Sequence, residues 1–211
     1  MTTPPKKQLK PWERFDPKDA KPSAKEDLHK AIGATCASWS MVEHNLFQIF
    51  RHIFAPHRAF AAWKMYATIP TTASRVNYIK AAAEAVFIND KERLDVINNI
   101  MDDLVSKFSS RRNDIAHGML FSLPDDAGFV LGEPVHNLKN IMRGELGYRY
   151  DSSQIAHYIE SFDHLSSELN ITRMLVFTDG NHFSQLPWPD TPLTRYVRPK
   201  RERLKRKLSQ Q

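Results

Sequence analysis

The segment Arg112-Asn113-Asp114-Ile115-Ala116-His117 holds the residue types that act on a phosphodiester. Asn113 and His117 are four apart and share a helix face. Arg112 and His117 are five apart, about 140° around the axis and about 7.5 Å along it. They flank a bound group rather than share one narrow stripe. A histidine closing a helix feels the negative end of its dipole, which favours imidazolium. It can take a proton from a ribose 2′-hydroxyl or return one to a departing 5′-oxygen. An arginine fork holds the phosphate and balances the charge that grows in the transition state. Asn113 can orient the histidine or hydrogen-bond the phosphate. This chemistry needs no metal and no cofactor. A helix ending in Arg, His and Gly is also what plain C-capping looks like. The order Arg-Asn-x-x-x-His and an interrupted apolar stripe favour function.

The interruption is visible upstream. Leu94, Ile97, Met101, Leu104 and Phe108 alternate three and four apart, and the rhythm resumes at Ile115. Position 111 or 112 should be apolar, yet both are arginine, and a charge at the edge of a core stripe needs partners. Arg111 is therefore a second candidate beside Arg112. Glu43 is a third, either pairing with Arg112 or lying on a solvated flank.

The elements that must position these residues are helical. A long first helix spans about 24–54, with a capping box at Ser23 and Glu26 and a stripe from Leu28 through Trp39, Val42 and Leu46 to Ile53. Pro56 ends it. A short helix over 57–68 turns Phe60, Trp63 and Ala67 inward and stops at Ile69-Pro70. Thr71 or Thr72 caps the next, with Val76, Ile79, Ala83 and Val86 on one side. Asn89, with Glu92, caps the helix that runs into the motif, and Gly118 stops it. Five of the seven glycines fall between 118 and 147. There 119–123 and 128–132 read as a hairpin, and 148–150 as a third strand. Asp151 or Ser152 opens a last long helix carrying Ile155, Tyr158, Ile159, Phe162, Leu165, Leu169 and Val176. Leu186-Pro-Trp-Pro-Asp is an extended segment. The expected fold is all-α, an antiparallel bundle of four to five helices with a short β-hairpin insertion before the last helix.

The 211 residues divide into a Pro/Lys-rich flexible arm over 1–22, a helical domain over 23–180, and an extended segment with a basic tail over 181–211. The net charge is +6, and Arg195 onward carries eight Lys/Arg against one Glu. The basicity is thus a property of the tail. Arg198, Lys200, Arg201, Arg203, Lys205, Arg206 and Lys207 could track an RNA backbone, or form a solvated appendage. The single cysteine, Cys36, excludes a disulfide framework and a cysteine-built metal site. The histidines lack metal-ligand spacing, with His44, His52 and His57 read as surface residues. No phosphate-cradling glycine loop or nucleophile elbow is present. No apolar run reaches spanning length and the first residues lack a signal core. These features suggest a cytoplasmic protein without a membrane role.

The motif Arg112-Asn113-x-x-x-His117, closing a core helix and followed by Gly118, resembles that of the HEPN superfamily of small helical bundles. The order of elements is also similar, with a long first helix carrying Trp39-Ser-Met-Val-Glu43 and a final helix packing back. The resemblance covers about 24–178. It implies a metal-independent endoribonuclease, often a toxin or antiviral effector, with Arg112, Asn113 and His117 at the active centre. Arg111 also satisfies the looser R-x(4–6)-H spacing. A homodimer in which two motif helices share one cleft is implied, as is a cognate antitoxin or defence-system partner. Many members of the superfamily are inactive, so the alternative is a non-catalytic dimeric module that binds RNA or a protein.

Overall fold

The computed structural model describes residues 9–54, 58–134, 147–177 and 191–208. They are mostly helical, with one small antiparallel sheet. Helix α1 (Lys25–Phe54) is 30 residues long, about 45 Å. It packs along its length against α6 (Ser152–Phe177). The two bury the apolar stripes expected of them, from Leu28 to Ile53 on one and Ile155 to Val176 on the other. Trp39 meets Phe162 edge-on at 5.0 Å, and Phe108 meets the same ring at 5.9 Å. Around this pair lie α2 (Ala59–Ala67), α3 (Thr72–Val86), α4 (Lys91–Ile100) and α5 (Ser106–Ala116). A single π turn, Met101–Val105, joins α4 to α5, and the Ser106 amide donates to the Met101 carbonyl. No helix among the described residues is long and apolar enough to cross a membrane.

Strands β1 (Met119–Ser122) and β2 (Phe129–Gly132) form the expected hairpin, and β3 (Arg149–Tyr150) pairs with β2. Gly118 does follow α5, but not as a left-handed cap. A Cβ there would sit 2.8 Å from the Asp114 carbonyl and from the Leu131 side chain. Glycine lets the sheet close on the helix end.

Four local readings are corrected. Ser23 does not close a capping box with Glu26. Its hydroxyl accepts the Ser152 amide at 3.1 Å, and its backbone bridges Phe129. Helix α2 buries Ala62 and Tyr66, while Phe60 and Trp63 face outward. Asp90, not Asn89, caps α4 by accepting the Arg93 amide. Val86 is exposed. The arm expected to be flexible over 1–22 is docked from about residue 10. Trp12 packs on Phe108 and Tyr196, and the Tyr158 hydroxyl donates to the Glu13 carbonyl at 2.7 Å. Trp12 and Phe15, the two arm residues able to dock by their chemistry, supply the burial, Phe15 meeting Tyr158 edge-on at 5.7 Å.

Thr194–Leu208, placed at sequence level in a basic tail, forms helix α7 against α4 and α6. It buries Val197, Arg201, Leu204 and Leu208, spaced four, three and four apart. Arg201 is 1 % exposed and ion-pairs with fully buried Glu168. Its Nη2 donates to the Glu168 carbonyl at 2.6 Å and the Thr172 hydroxyl at 2.7 Å. Lys207 reaches Asp90 at 3.0 Å and Glu92 at 2.8 Å, and Lys200 lies 3.7 Å from Asp95. The basic run neutralises the acidic face of α4. The Leu186-Pro-Trp-Pro-Asp segment lies outside the described residues.

Helix α6 opens on a reciprocal cap. The Asp151 carboxylate accepts the Gln154 amide at 2.9 Å, and the Gln154 side chain accepts the Asp151 amide at 3.2 Å. Burial pushes the Asp151 carboxyl up. Hydrogen bonds from the Ser153 hydroxyl and from the amides of Lys21, Gln154 and Ser153 outweigh it and hold the group below the ordinary aspartate value. Asp151→Ala should therefore cost about 0.5–2 kcal/mol near neutrality. A depressed carboxyl stabilises the fold above its unfolded value and loses that contribution as pH falls through its folded one. The gap between variant and parent should then close in acid. Urea unfolding of both proteins at the two pH extremes checks this, and a gap independent of pH would contradict it.

Candidate functional site

The last turn of α5 carries the motif. Arg111, on the inward side, is buried. Its Nη1 lies 2.8 Å from the Asp114 carboxylate and donates to the Tyr150 hydroxyl at 3.4 Å. Asp114 also accepts the Tyr150 hydroxyl at 3.0 Å and both arms of the Arg14 guanidinium at 3.1 and 2.8 Å. Burial, the neighbouring Tyr158 and Asp114 push the Tyr150 phenol up, so it stays protonated as a donor. Arg111 is thus a structural cation, held away from the pocket that Arg112 and His117 line. The partners that a charge in the core stripe required are Asp114 and Tyr150.

Arg112 and His117 point elsewhere. With Asn113 and Ser109 they line a solvent-open pocket of about 350 Å³. Arg112 Nη1 donates to the Asn113 side-chain oxygen at 3.0 Å, and no salt bridge consumes it among the described residues. His117 ends the helix, its amide donating to the Asn113 carbonyl at 3.1 Å. The ring is exposed and no described residue hydrogen-bonds it.

The opposite wall comes from the turn before α3 and from α1. Pro70 stops α2's run, and the Thr71 hydroxyl caps α3 by accepting the Ser74 amide at 3.1 Å. Thr71, Thr72 and Ala73 therefore bring the positive end of the α3 dipole to the pocket. Glu43, on α1, does not pair with Arg112. Its carboxylate accepts from Arg75 at 2.5 Å, the Thr72 hydroxyl at 2.7 Å, the Trp39 indole at 3.2 Å and the Tyr66 hydroxyl at 3.4 Å. Burial, with Glu43 beside it, pushes the Tyr66 phenol up and keeps it a donor. Four donors occupy the carboxylate, so Glu43 anchors the wall rather than moving protons.

Arg75 was not visible as a site residue in the sequence. It falls in the first turns of a helix capped by Thr71, and only the chain reversal at Ile69-Pro70 brings it opposite the motif. The contacts of Asp114 with Arg14 and Tyr150 span 100 and 36 residues, so local spacing does not show them either.

Of the basic residues assigned to RNA, Arg201 is buried in its ion pair and is removed from that role. Lys207, Lys200 and Arg203 lie against acidic groups of α4 and its cap. Arg206 donates to the Glu202 carbonyl at 3.4 Å. Trp39 and Phe108 are core residues. His44 contacts Gln48, and His52 stacks on Phe177, while His57 lies outside the described residues. Among the described residues no group of three His, Cys, Asp or Glu is placed to hold a metal. A larger groove of about 900 Å³ between α1, α2 and α3 is mainly apolar and carries one cation, Lys64. The smaller pocket is the one with chemistry. No protein-family model, curated protein or solved structure matches this chain.

Proposed function

We propose that the protein is a metal-independent endoribonuclease of HEPN type, folded as an antiparallel helical bundle with a β insertion. The observation that carries this reading is the convergence of Arg112, Asn113 and His117 on one open pocket, with neither Arg112 nor His117 held in an ion pair among the described residues. In the reaction, the ribose 2′-oxygen attacks phosphorus and the bond to the 5′-oxygen breaks. The products are a 2′,3′-cyclic phosphate and a 5′-hydroxyl. His117 carries one of the two proton transfers and water the other. Arg112 binds the phosphate oxygens on which charge accumulates.

The cellular setting belongs to the same proposal: a cytoplasmic toxin or antiviral effector, acting on RNA as a homodimer and restrained by a cognate partner. Arg112 and His117 share a pocket within one chain, so the two residues need not come from different copies. The dimer rests on the resemblance alone.

The test is incubation of the purified protein with total RNA in EDTA, beside His117→Ala. Cleavage should persist in the chelator, leave cyclic phosphate ends and vanish in the variant. Activity lost in EDTA and restored by magnesium would overturn the mechanism. Intact RNA under every condition would leave a binding module in its place.

A further inference from the structure

The pocket holds a second guanidinium that faces the motif from the opposite wall. Arg75 is fixed on three sides. Its Nε donates to the Ile69 carbonyl at 3.1 Å, its Nη1 to Glu43 at 2.5 Å, and its plane covers the Tyr66 ring at 4.8 Å. No described residue hydrogen-bonds Nη2. The side chain lines the same 350 Å³ pocket as Arg112, Asn113 and His117. An arginine held this way loses little freedom when it binds, because its fork is already oriented. The pocket lies at the small end of ligand sites, and its lining contains no Phe, Tyr or Trp ring. It offers charge and hydroxyls where a stacked base would need a flat apolar face.

We infer that Arg75 is a second phosphate-binding residue of this site, so that a nucleic-acid phosphate is gripped between Arg75 on α3 and Arg112 on α5, with Glu43 holding Arg75 in place. The inference rests on the ribonuclease reading for its substrate class, but its test does not require cleavage. Arg75 contributes binding and positioning, while proton transfer stays with His117. The bases of the strand lie outside this pocket, so the grip reads the backbone and not the sequence.

The probe is a single-stranded oligonucleotide with every ribose 2′-O-methylated, which binds and cannot be cut. Its affinity for the full chain is measured across a salt series. Arg75→Gln should weaken binding about tenfold at low salt, the scale of one charged hydrogen-bonding contact. It should also lower the salt slope by about 0.7, the value of one phosphate contact on a single strand. Arg112→Gln should do the same. Lys64→Gln, on the neighbouring apolar groove, should change neither. If Arg75→Gln does not fold, Glu43→Gln with Arg75→Gln neutralises the pair together and gives the same reading. An unchanged slope in either variant overturns the inference. So does an equal loss in Lys64→Gln, which would make the effect one of overall charge. If unmodified RNA survives the parent protein while Arg75→Gln still loses its slope, the ribonuclease reading fails and the phosphate site stands.

Discussion

Replacing His117 by alanine should abolish RNA cleavage and leave the fold unchanged. A positioned acid–base group contributes about 10²–10⁴ in rate, so the loss should be at least a hundredfold. The ring is exposed and makes no described hydrogen bond. The helix end is secured by the backbone amide of residue 117, which alanine retains, and by buried Phe108 and Ile115. Far-UV dichroism and the melting temperature of the variant should match the parent. Arg112→Lys should be nearly as damaging, because an ammonium carries the charge but not the planar fork. Cleavage by His117→Ala at the parental rate would remove the proposed site. A variant that melts early would make His117 a helix-end residue instead.

The largest effect on stability should come from Arg201→Ala. This guanidinium is almost fully buried beside a fully buried carboxylate, and three threonines complete the cluster. Burial pushes the Arg201 guanidinium down while Glu168 pulls it up. Removing the cation leaves Glu168 charged in the core, which typically costs 3–5 kcal/mol. At roughly 2–4 °C per kcal/mol for a domain of this size, the melting temperature should fall by about 6–20 °C. The double change Glu168→Leu and Arg201→Met should recover most of the loss, since an apolar pair of similar volume removes the orphaned charge. Thermal unfolding of the three proteins decides it. A single variant that melts within a degree or two of the parent would show that the pair carries no weight.

Two arginines in two apolar stripes explain what was legible in the sequence and what was not. From Leu104 in the π turn into α5 the stripe passes through Phe108 and position 111 to Ile115, and a charge at 111 breaks it and needs partners. It is Arg111, inside, with Asp114 and Tyr150. On α7 the stripe passes through Val197, Arg201, Leu204 and Leu208 by the same rule. There the surrounding lysines and arginines hide a helix whose buried stripe has only three apolar positions to show. Long helices with many repeats, α1 and α6, were plain. Helix α2 is apolar on nearly every side, so periodicity could not say that Tyr66 is buried and Trp63 exposed. Within the site, Arg112, Asn113 and His117 are neighbours in the chain and could be found by spacing. The Trp39 donor to Glu43 is local to α1, but those from Tyr66, Thr72 and Arg75 depend on how α1 meets α2 and α3, which no local pattern encodes.

The carboxylate of Asp114 ties the back of the motif helix to residue 14 and to residue 150. On a chain made from its N-terminus, Arg14 leaves the ribosome 100 residues ahead of its partner. At about 5–20 residues per second that is a wait of about 5–20 s. Lys21 and Ser23 wait longer, for Asp151 and Ser152. Arg14 can close on Asp114 as soon as the motif helix is made, whereas Tyr150, Asp151 and Ser152 follow that helix in the chain. A nascent chain carries Arg112 and His117 on a helix end held by Arg14 alone, and the strap that steadies them is complete only when residues 150–152 have emerged.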